Sequence, residues 1–332
     1  MSTLKLTLIQ THLHWEDKGA NLAFLEQKIV NLEAPTEIVI LPEMFNTGFS
    51  MQPELHAETM EGPTVQWMRR IAIAEKIILT GSLMIQEGDH YYNRLIWMLP
   101  NGEYGHYDKR HLFAFAREDQ HYTAGNKRLI ASVKGWKINL QICYDLRFPV
   151  WARQANNNEY DVLIYVANWP EKRNHAWKTL LVARAIENQA FVVGVNRVGL
   201  DGNNIAHSGD SMVVGPLGEV LYHCAYEEDI FHISLQKEEI DNCISAANKE
   251  ILAIINQQDE SGPLAKRWDK LVSKQRVEVL AAIPNLGMKK AQLLLEHFGT
   301  VAAVLCANEN ELSKVEGIGP ATASTIQEIL HA

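Results

Sequence analysis

Three short segments of this 332-residue sequence close apolar runs with residues able to do chemistry. Glu43 ends the β-branched run EIVILPE, Lys109 sits in YDKRHLF, and Cys143 follows KINLQI in LQICYDLRFP. A thiol of ordinary pKa, about 8.5, is only a few per cent thiolate at pH 7, so an attacking Cys needs a base or a cation beside it. A carboxylate and an ammonium are those two groups. Each residue also has an ordinary reading. Cys143 can be a small buried hydrophobe, Glu43 a helix N-cap or an exposed loop acid, and Lys109 a solvated surface lysine. Against this, a charge that closes an apolar strand conflicts with local core patterning, and such conflicts concentrate at functional sites. Strand C-termini in α/β domains are also where side chains meet a ligand.

The elements that must position these residues follow from periodicity. Short β-branched runs predict strands at Leu4–Ile9, Glu37–Leu41, Ile77–Leu83, Arg94–Leu99, Lys137–Ile142, Val162–Val166, Phe191–Val195 and Ser211–Val214. Helical spacing predicts helices over Gly19–Leu32, Pro63–Lys76 and Asn174–Gln189. In the last of these Trp177, Leu180, Leu181, Arg184 and Asn188 share one face. Pro100-Asn101-Gly102 reads as a turn between two strands. Strands alternating with helices predict a layered α/β domain.

Length and composition bound the rest. At 47% hydrophobic and 21% charged, the chain can bury a core without disulfides or a metal. Its length suits one large domain and one small one. The four Cys, at 143, 224, 243 and 306, include no CxxC pair, so neither a disulfide framework nor a zinc ribbon is indicated. His106, His111 and His121 lack the spacing of zinc-ligand sets. With no signal-like N-terminal segment and no long apolar run, the expectation is a cytoplasmic protein without a membrane span. A net charge of −9 repels a phosphate backbone except where basic residues are segregated.

LPEMFNTGF around Glu43, YDKRHLF around Lys109 and CYDLRFP around Cys143 resemble the three catalytic blocks of the nitrilase superfamily of carbon-nitrogen hydrolases, in that family's order. Three spaced blocks are more specific than one short motif. The likeness covers about the first 250 residues and implies a four-layer αββα sandwich, a homodimer, and catalysis by Glu43, Lys109 and Cys143 without metal or cofactor. It also suggests Glu118, seven residues before Gly125, as a second carboxylate. MFNTGFSM from Met44, NWPEKRNHAWKTLLVARAIENQ from Asn168 and NRVG from Asn196 resemble the omega-amidase branch, which deamidates ω-amides of dicarboxylic acids such as α-ketoglutaramate.

On this resemblance Glu43 is the base, Lys109 favours the thiolate, and Lys109 with the Tyr144 backbone N–H stabilises the oxyanion. A far carboxylate on the substrate calls for an Arg. Arg147 is the nearest in sequence to Cys143, with Arg117 and Arg173 as alternatives, and Arg147 can instead pair with Asp145 or Glu171. Tyr92, Asn93, Phe115, Trp169 and Trp177 are implied pocket walls, although the spacing of Trp177 with Leu180 and Leu181 equally suits a core residue. Arg184 and Asn188 read as structural. Other amides, including N-carbamoyl amino acids, remain open as substrates.

QQDESGP at 257–263 reads as a linker between a catalytic domain over 1–256 and a helical domain over 264–332. IPNLGMKKAQLLLEHFG from Ile283 and VEGIGPATASTIQEIL from Val315 form an internal repeat that resembles the tandem helix-hairpin-helix of DNA repair proteins. In that family such hairpins offer backbone N–H groups to a phosphate. Gly317 and Gly319 keep the pattern, whereas Asn285 stands where the family usually has Gly. From Pro263 onward eight Lys/Arg face seven Asp/Glu, a net of +1 that leaves −10 for the rest. That is a weak footprint for a nucleic-acid binder, so packing or oligomerisation is the competing reading.

Overall fold

The computed structural model describes residues 2–154, 159–243 and 274–331, apart from 275, 279, 282, 284 and 285. Its chain divides into two units, Met1–Ala247 and Asn248–Ala332.

In the first unit the chain forms β1 (Thr3–Gln10), β2 (Ile38–Ile40), β3 (Ile78–Glu87), β4 (His90–Met98), β5 (Tyr104–Asp108), β6 (Leu129–Val133), β7 (Trp136–Ile142), β8 (Val162–Ala167), β9 (Phe191–Asn196), β10 (Val198–Leu200), β11 (Ala206–Val214), β12 (Val220–Ala225) and β13 (Asp229–Gln236). They build two sheets, of order β13-β1-β2-β3-β4-β5 and β10-β11-β9-β8-β7-β6, with β12 on β11. At the centre of each sheet the strands run parallel, β1 with β2 and β3, and β7 with β8 and β9. The helices include α1 (Lys18–Val30), α2 (Pro53–His56), α3 (Pro63–Glu75), α4 (Glu118–His121), α5 (Pro149–Ala152) and α6 (Asn174–Asn188).

Side-chain alternation explains the layering. Along β2, Ile38 and Ile40 join one core while Val39 and Leu41 join another; along β4, Leu95 and Trp97 separate from Ile96 and Met98 in the same way. One of these cores holds Leu25 and Ile29 of α1 and Val65, Met68 and Ile71 of α3. The other holds Ile138, Leu140, Ile164 and Val193 of the second sheet together with Trp177, Leu181 and Ala185 of α6. A period of two along strands thus sends successive residues to opposite faces, giving helices, sheet, sheet and helix in sequence. This is the αββα sandwich.

Eight of the strands agree with the sequence expectation, and α6 ends at Asn188 because Gln189 turns left-handed (φ +48°). Five strands lie outside the expected runs: β5, expected only as the partner strand beyond the Pro100-Asn101-Gly102 turn, and β6, β10, β12 and β13, which were not expected. All five lie at sheet margins, where they are only partly buried. An edge strand needs no continuous hydrophobic pattern. Nevertheless β13 pairs antiparallel with β1 over its whole length, Thr3 to Gln10 against Gln236 to Asp229.

The second unit contains α7 (Gly287–Phe298), α8 (Val301–Cys306), α9 (Glu309–Leu312) and α10 (Pro320–His331). They close on Leu286, Ala291, Leu294, Leu312, Ile318, Ala323 and Ile326, so both halves of the repeat contribute apolar residues to one small core. The expected linker at 257–263 and Asn285 lie outside the described residues. Among the described residues, no helix is long and apolar enough to cross a membrane.

Candidate active site

Four strand ends and one short helix bring the site together. Beyond β2, Leu41 donates its N–H to Thr80 O (2.8 Å), and the Met44 N–H reaches Ser82 Oγ (2.9 Å), so the turn bearing Glu43 is pinned on β3. Lys109 directly follows β5, its N–H on Asn93 O of β4 at 3.0 Å. Cys143 follows β7 as the first residue of a 3₁₀ turn, Cys143–Arg147, and Asn168 follows β8. Glu118 opens α4.

Lys109 is held between two carboxylates, and all three side chains are fully buried. Its Nζ donates to Glu43 Oε1 at 2.8 Å and to Glu118 Oε1 at 3.0 Å. Asn93 Nδ2 donates to the same two acids, at 2.8 Å to Glu43 and 3.1 Å to Glu118. The Asn168 N–H reaches Glu43 Oε2 at 2.8 Å, and the Phe113 N–H reaches Glu118 Oε2 at 2.6 Å. Asn168 also donates its side-chain amide to the Glu43 carbonyl. Lys109 further rests over the Phe49 ring, 5.0 Å from its centroid.

Electrostatics separate the roles. Burial opposes the Lys109 charge, but Glu118 and then Glu43 outweigh it and hold the ammonium above the ordinary lysine range. Burial raises Glu118, aided by Glu43 and opposed by Lys109. Burial likewise pushes the Cys143 thiol up. Glu43 adds to that push, and the Lys109 charge only partly opposes it. Burial and Glu43 thus favour the thiol form of Cys143, while Lys109 acts in the expected direction, toward the thiolate. Glu43 is the carboxylate beside this thiol.

Cys143 opens onto a cavity of about 950 Å3, shared with Phe49, Tyr144, Asn168 and Trp169. Arg147 and Arg173 line the same cavity, each over an aromatic side chain. The Arg147 guanidinium lies 5.2 Å from the Trp169 centroid, and that of Arg173 lies 4.4 Å from Phe115 and 5.1 Å from Phe113. Asp145 instead accepts from Tyr107, His111 and the Ile142 N–H, and among the described residues Arg147 forms no ion pair. Arg117 is exposed and outside the cavity wall.

The remaining expected wall residues divide. Phe115 and Trp169 line the cavity; Tyr92, Asn93 and Trp177 do not. Tyr92 packs under Arg94, 5.2 Å from ring to guanidinium, and Asn93 binds the two acids. Trp177 is wholly buried, with Nε1 on Asp210 O at 2.7 Å, because its helical face is a core face. Sequence reasoning assigned no role to Asn168, although the Asn-Trp-Pro segment containing it was singled out. His111 lies against Asp145 at 2.8 Å, and among the described residues no group of His, Cys, Asp and Glu is arranged to hold a metal ion.

The sequence model of the carbon-nitrogen hydrolase family matches residues 5–244, and that of a helix-hairpin-helix motif matches residues 278–332. The omega-amidase YafV of Escherichia coli is 44% identical over 221 residues, which cover 67% of this chain and 85% of that protein. The 2-oxoglutaramate amidase of Bacillus subtilis is 30% identical over 237 residues, 70% of this chain and 91% of that one. Among solved structures, XC1258 of Xanthomonas campestris, a CN-hydrolase superfamily protein with an arsenic adduct in its active site, superposes with a TM-score of 0.71. It is 40% identical and covers 73% of this chain and 94% of its own.

Proposed function

This chain belongs to the carbon-nitrogen hydrolase family, and from that premise we propose that it releases ammonia from the ω-amide of a dicarboxylic acid monoamide such as α-ketoglutaramate. Glu43 takes the Cys143 proton as Sγ attacks the amide carbonyl carbon. The carbonyl oxygen gains negative charge, and the Lys109 ammonium and the Tyr144 N–H stabilise it; losing one such donor typically costs about 2.7–4 kcal/mol of barrier. As the tetrahedral adduct collapses, Glu43 returns the proton to the amide nitrogen, the C–N bond breaks, and ammonia leaves a Cys143 thioester. Glu43 then deprotonates a water, whose oxygen attacks the thioester carbon. Cys143 departs, recovers its proton from Glu43, and the acid is released. Glu118 holds Lys109 and the substrate amide nitrogen in register.

The observation that carries this reading is the fully buried Lys109 shared by Glu43 and Glu118, beside a cavity that also exposes Cys143. The relatives named omega-amidase and 2-oxoglutaramate amidase support the substrate class. Arg147, in no ion pair among the described residues and 5.2 Å from the Trp169 ring centroid, is suited to grip a far carboxylate. The reading carries with it a cytoplasmic homodimer, with catalysis confined to residues 1–256 and a separate helical domain over 264–332.

Ammonia release from α-ketoglutaramate, succinamate, glutamine, an N-carbamoyl amino acid and a neutral aliphatic amide tests it, using wild type, Cys143→Ala and Arg147→Ala. The wild type should prefer the first two, Cys143→Ala should release none while keeping its circular dichroism, and Arg147→Ala should lose acidic monoamides more than neutral amides. Turnover by Cys143→Ala would remove the nucleophile, and a preference for carbamoyl substrates would move the enzyme to another amide.

A further inference from the structure

A single buried carboxylate ties the nucleophile to the cation. Asp145, fully buried, lies two residues past Cys143 on the same 3₁₀ turn. Its Oδ2 accepts from the Ile142 N–H, immediately before Cys143, at 3.1 Å, and from the Tyr107 hydroxyl at 2.7 Å. Its Oδ1 accepts from the His111 N–H at 2.9 Å and from His111 Nδ1 at 2.8 Å. Tyr107 and His111 stand two residues before and two residues after Lys109. One carboxylate therefore grips both flanks of the Lys109 segment and the stem of the Cys143 turn.

Each partner is itself fixed. The Tyr107 hydroxyl, while donating to Asp145, accepts from Trp151 Nε1 at 2.9 Å and from the Arg110 N–H at 3.2 Å. The His111 ring stacks on Phe148 with centroids 3.7 Å apart and planes within 6°. Phe148 closes the Cys143 turn, its N–H on Asp145 O at 2.9 Å. The two segments are thus joined by aromatic stacking and by a carboxylate whose four acceptor positions are all used.

We propose that Asp145 is a positioning residue that sets the separation of the Cys143 sulfur and the Lys109 ammonium, and so governs the reactivity of the thiol. It touches no substrate. The proposal rests on the reading of Cys143 as nucleophile. An asparagine at this position keeps the shape but offers one acceptor oxygen, and its NH2 group faces two donors, so one side of the brace is lost. A misplacement on the ångström scale costs about 100-fold in well-aligned sites.

The experiment is Asp145→Asn in the full chain, read by ammonia release and by the pH profile of Cys143 alkylation with iodoacetamide, with the modified residue identified by mass spectrometry. We expect kcat to fall roughly 10- to 100-fold, KM to change by less than about twofold, and the alkylation profile to shift with kcat. A merely structural role would lower the unfolding midpoint and leave kcat and alkylation at wild-type values, and that result overturns the proposal. Should Asp145→Asn fail to fold, Tyr107→Phe removes one donor with little change of volume and should show a smaller decline in both readouts; wild-type values there would equally overturn it. Alkylation needs no substrate, so wild-type Cys143 that does not react would count against the nucleophile, whereas parity between variant and wild type counts against the brace alone.

Discussion

Cys143 sits at φ +44°, a backbone region that costs a residue with a β-carbon of order 1–3 kcal/mol and persists only where the surroundings over-determine it. The turn it begins, held by Asp145, supplies that determination and turns the sulfur toward the cavity rather than the sheet. A second residue in the cavity wall, His207, is governed by burial. Its ring Nδ1 lies 3.0 Å from Ile205 O, and burial, then the Arg197 charge, push its pKa down to about 4. Because the folded value lies below the unfolded one, about 6.5, the unfolded chain takes up a proton that the folded chain refuses between these limits. Stability is therefore fully present above about pH 6.5 and falls as the pH drops toward 4, by about 2 kcal/mol at pH 5. Urea unfolding at pH 7.5 and pH 5 should show this loss in wild type and a smaller one in His207→Gln; equal losses would assign the slope to another group.

Among elements, the stretch after α4 decides how closely the Lys109 segment can be approached. Gly125 donates its N–H to Lys109 O at 2.9 Å, and a Cβ built on it would fall 2.2 Å from Asp108 O. That obstacle is backbone, and it cannot swing aside. Gly125→Ala should displace Asp108 and Lys109, lowering kcat/KM by about 100-fold and stability by about 2–3 kcal/mol. Steady-state kinetics with urea unfolding checks both, and a destabilised variant with wild-type kcat/KM would show that the displacement spares Lys109. The same packing logic separates the buried face of α6 from the pocket, which the helix lines at its first residue, Asn174: Trp177, Leu181 and Ala185 belong to the core of the second sheet, with Arg184 and Asn188 buried on the same face.

At the scale of the molecule, the acidic excess and the proposed catalytic set lie in the first unit, while the residues after Pro263 carry a net charge of only +1. The second hairpin does hold Gly317 at φ +82°, with no described atom within 4 Å of a Cβ built there, so its backbone is open to approach. Charge is the larger effect, because phosphate binding depends on neutralising several phosphates and weakens steeply with salt. A gel shift with duplex DNA should show no retention at about 0.15 M salt. Retention that is lost in Gly317→Asp would instead make this hairpin a phosphate contact.

What the sequence by itself determined is what can be written along one dimension. The flanks of Glu43, Lys109 and Cys143 identify a family and through it the αββα layers, strand and helix periods identify an α/β domain, and a repeat after Ile283 identifies a second helical unit. The tertiary structure decided whatever depends on residues distant in the chain. Asn168 meets Glu43 across 125 positions, Asn93 meets it across 50, and Asp145 meets Tyr107 across 38. No local pattern encodes those pairings, just as none marks the edge strands that need little apolar surface. Tyr92 and Asn93, implied as pocket walls by resemblance, do not line the cavity, Asn93 binding the two site carboxylates instead, and Trp177, which suited wall or core equally, is a core residue, since whether a side chain faces a cavity or a core depends on what packs opposite it.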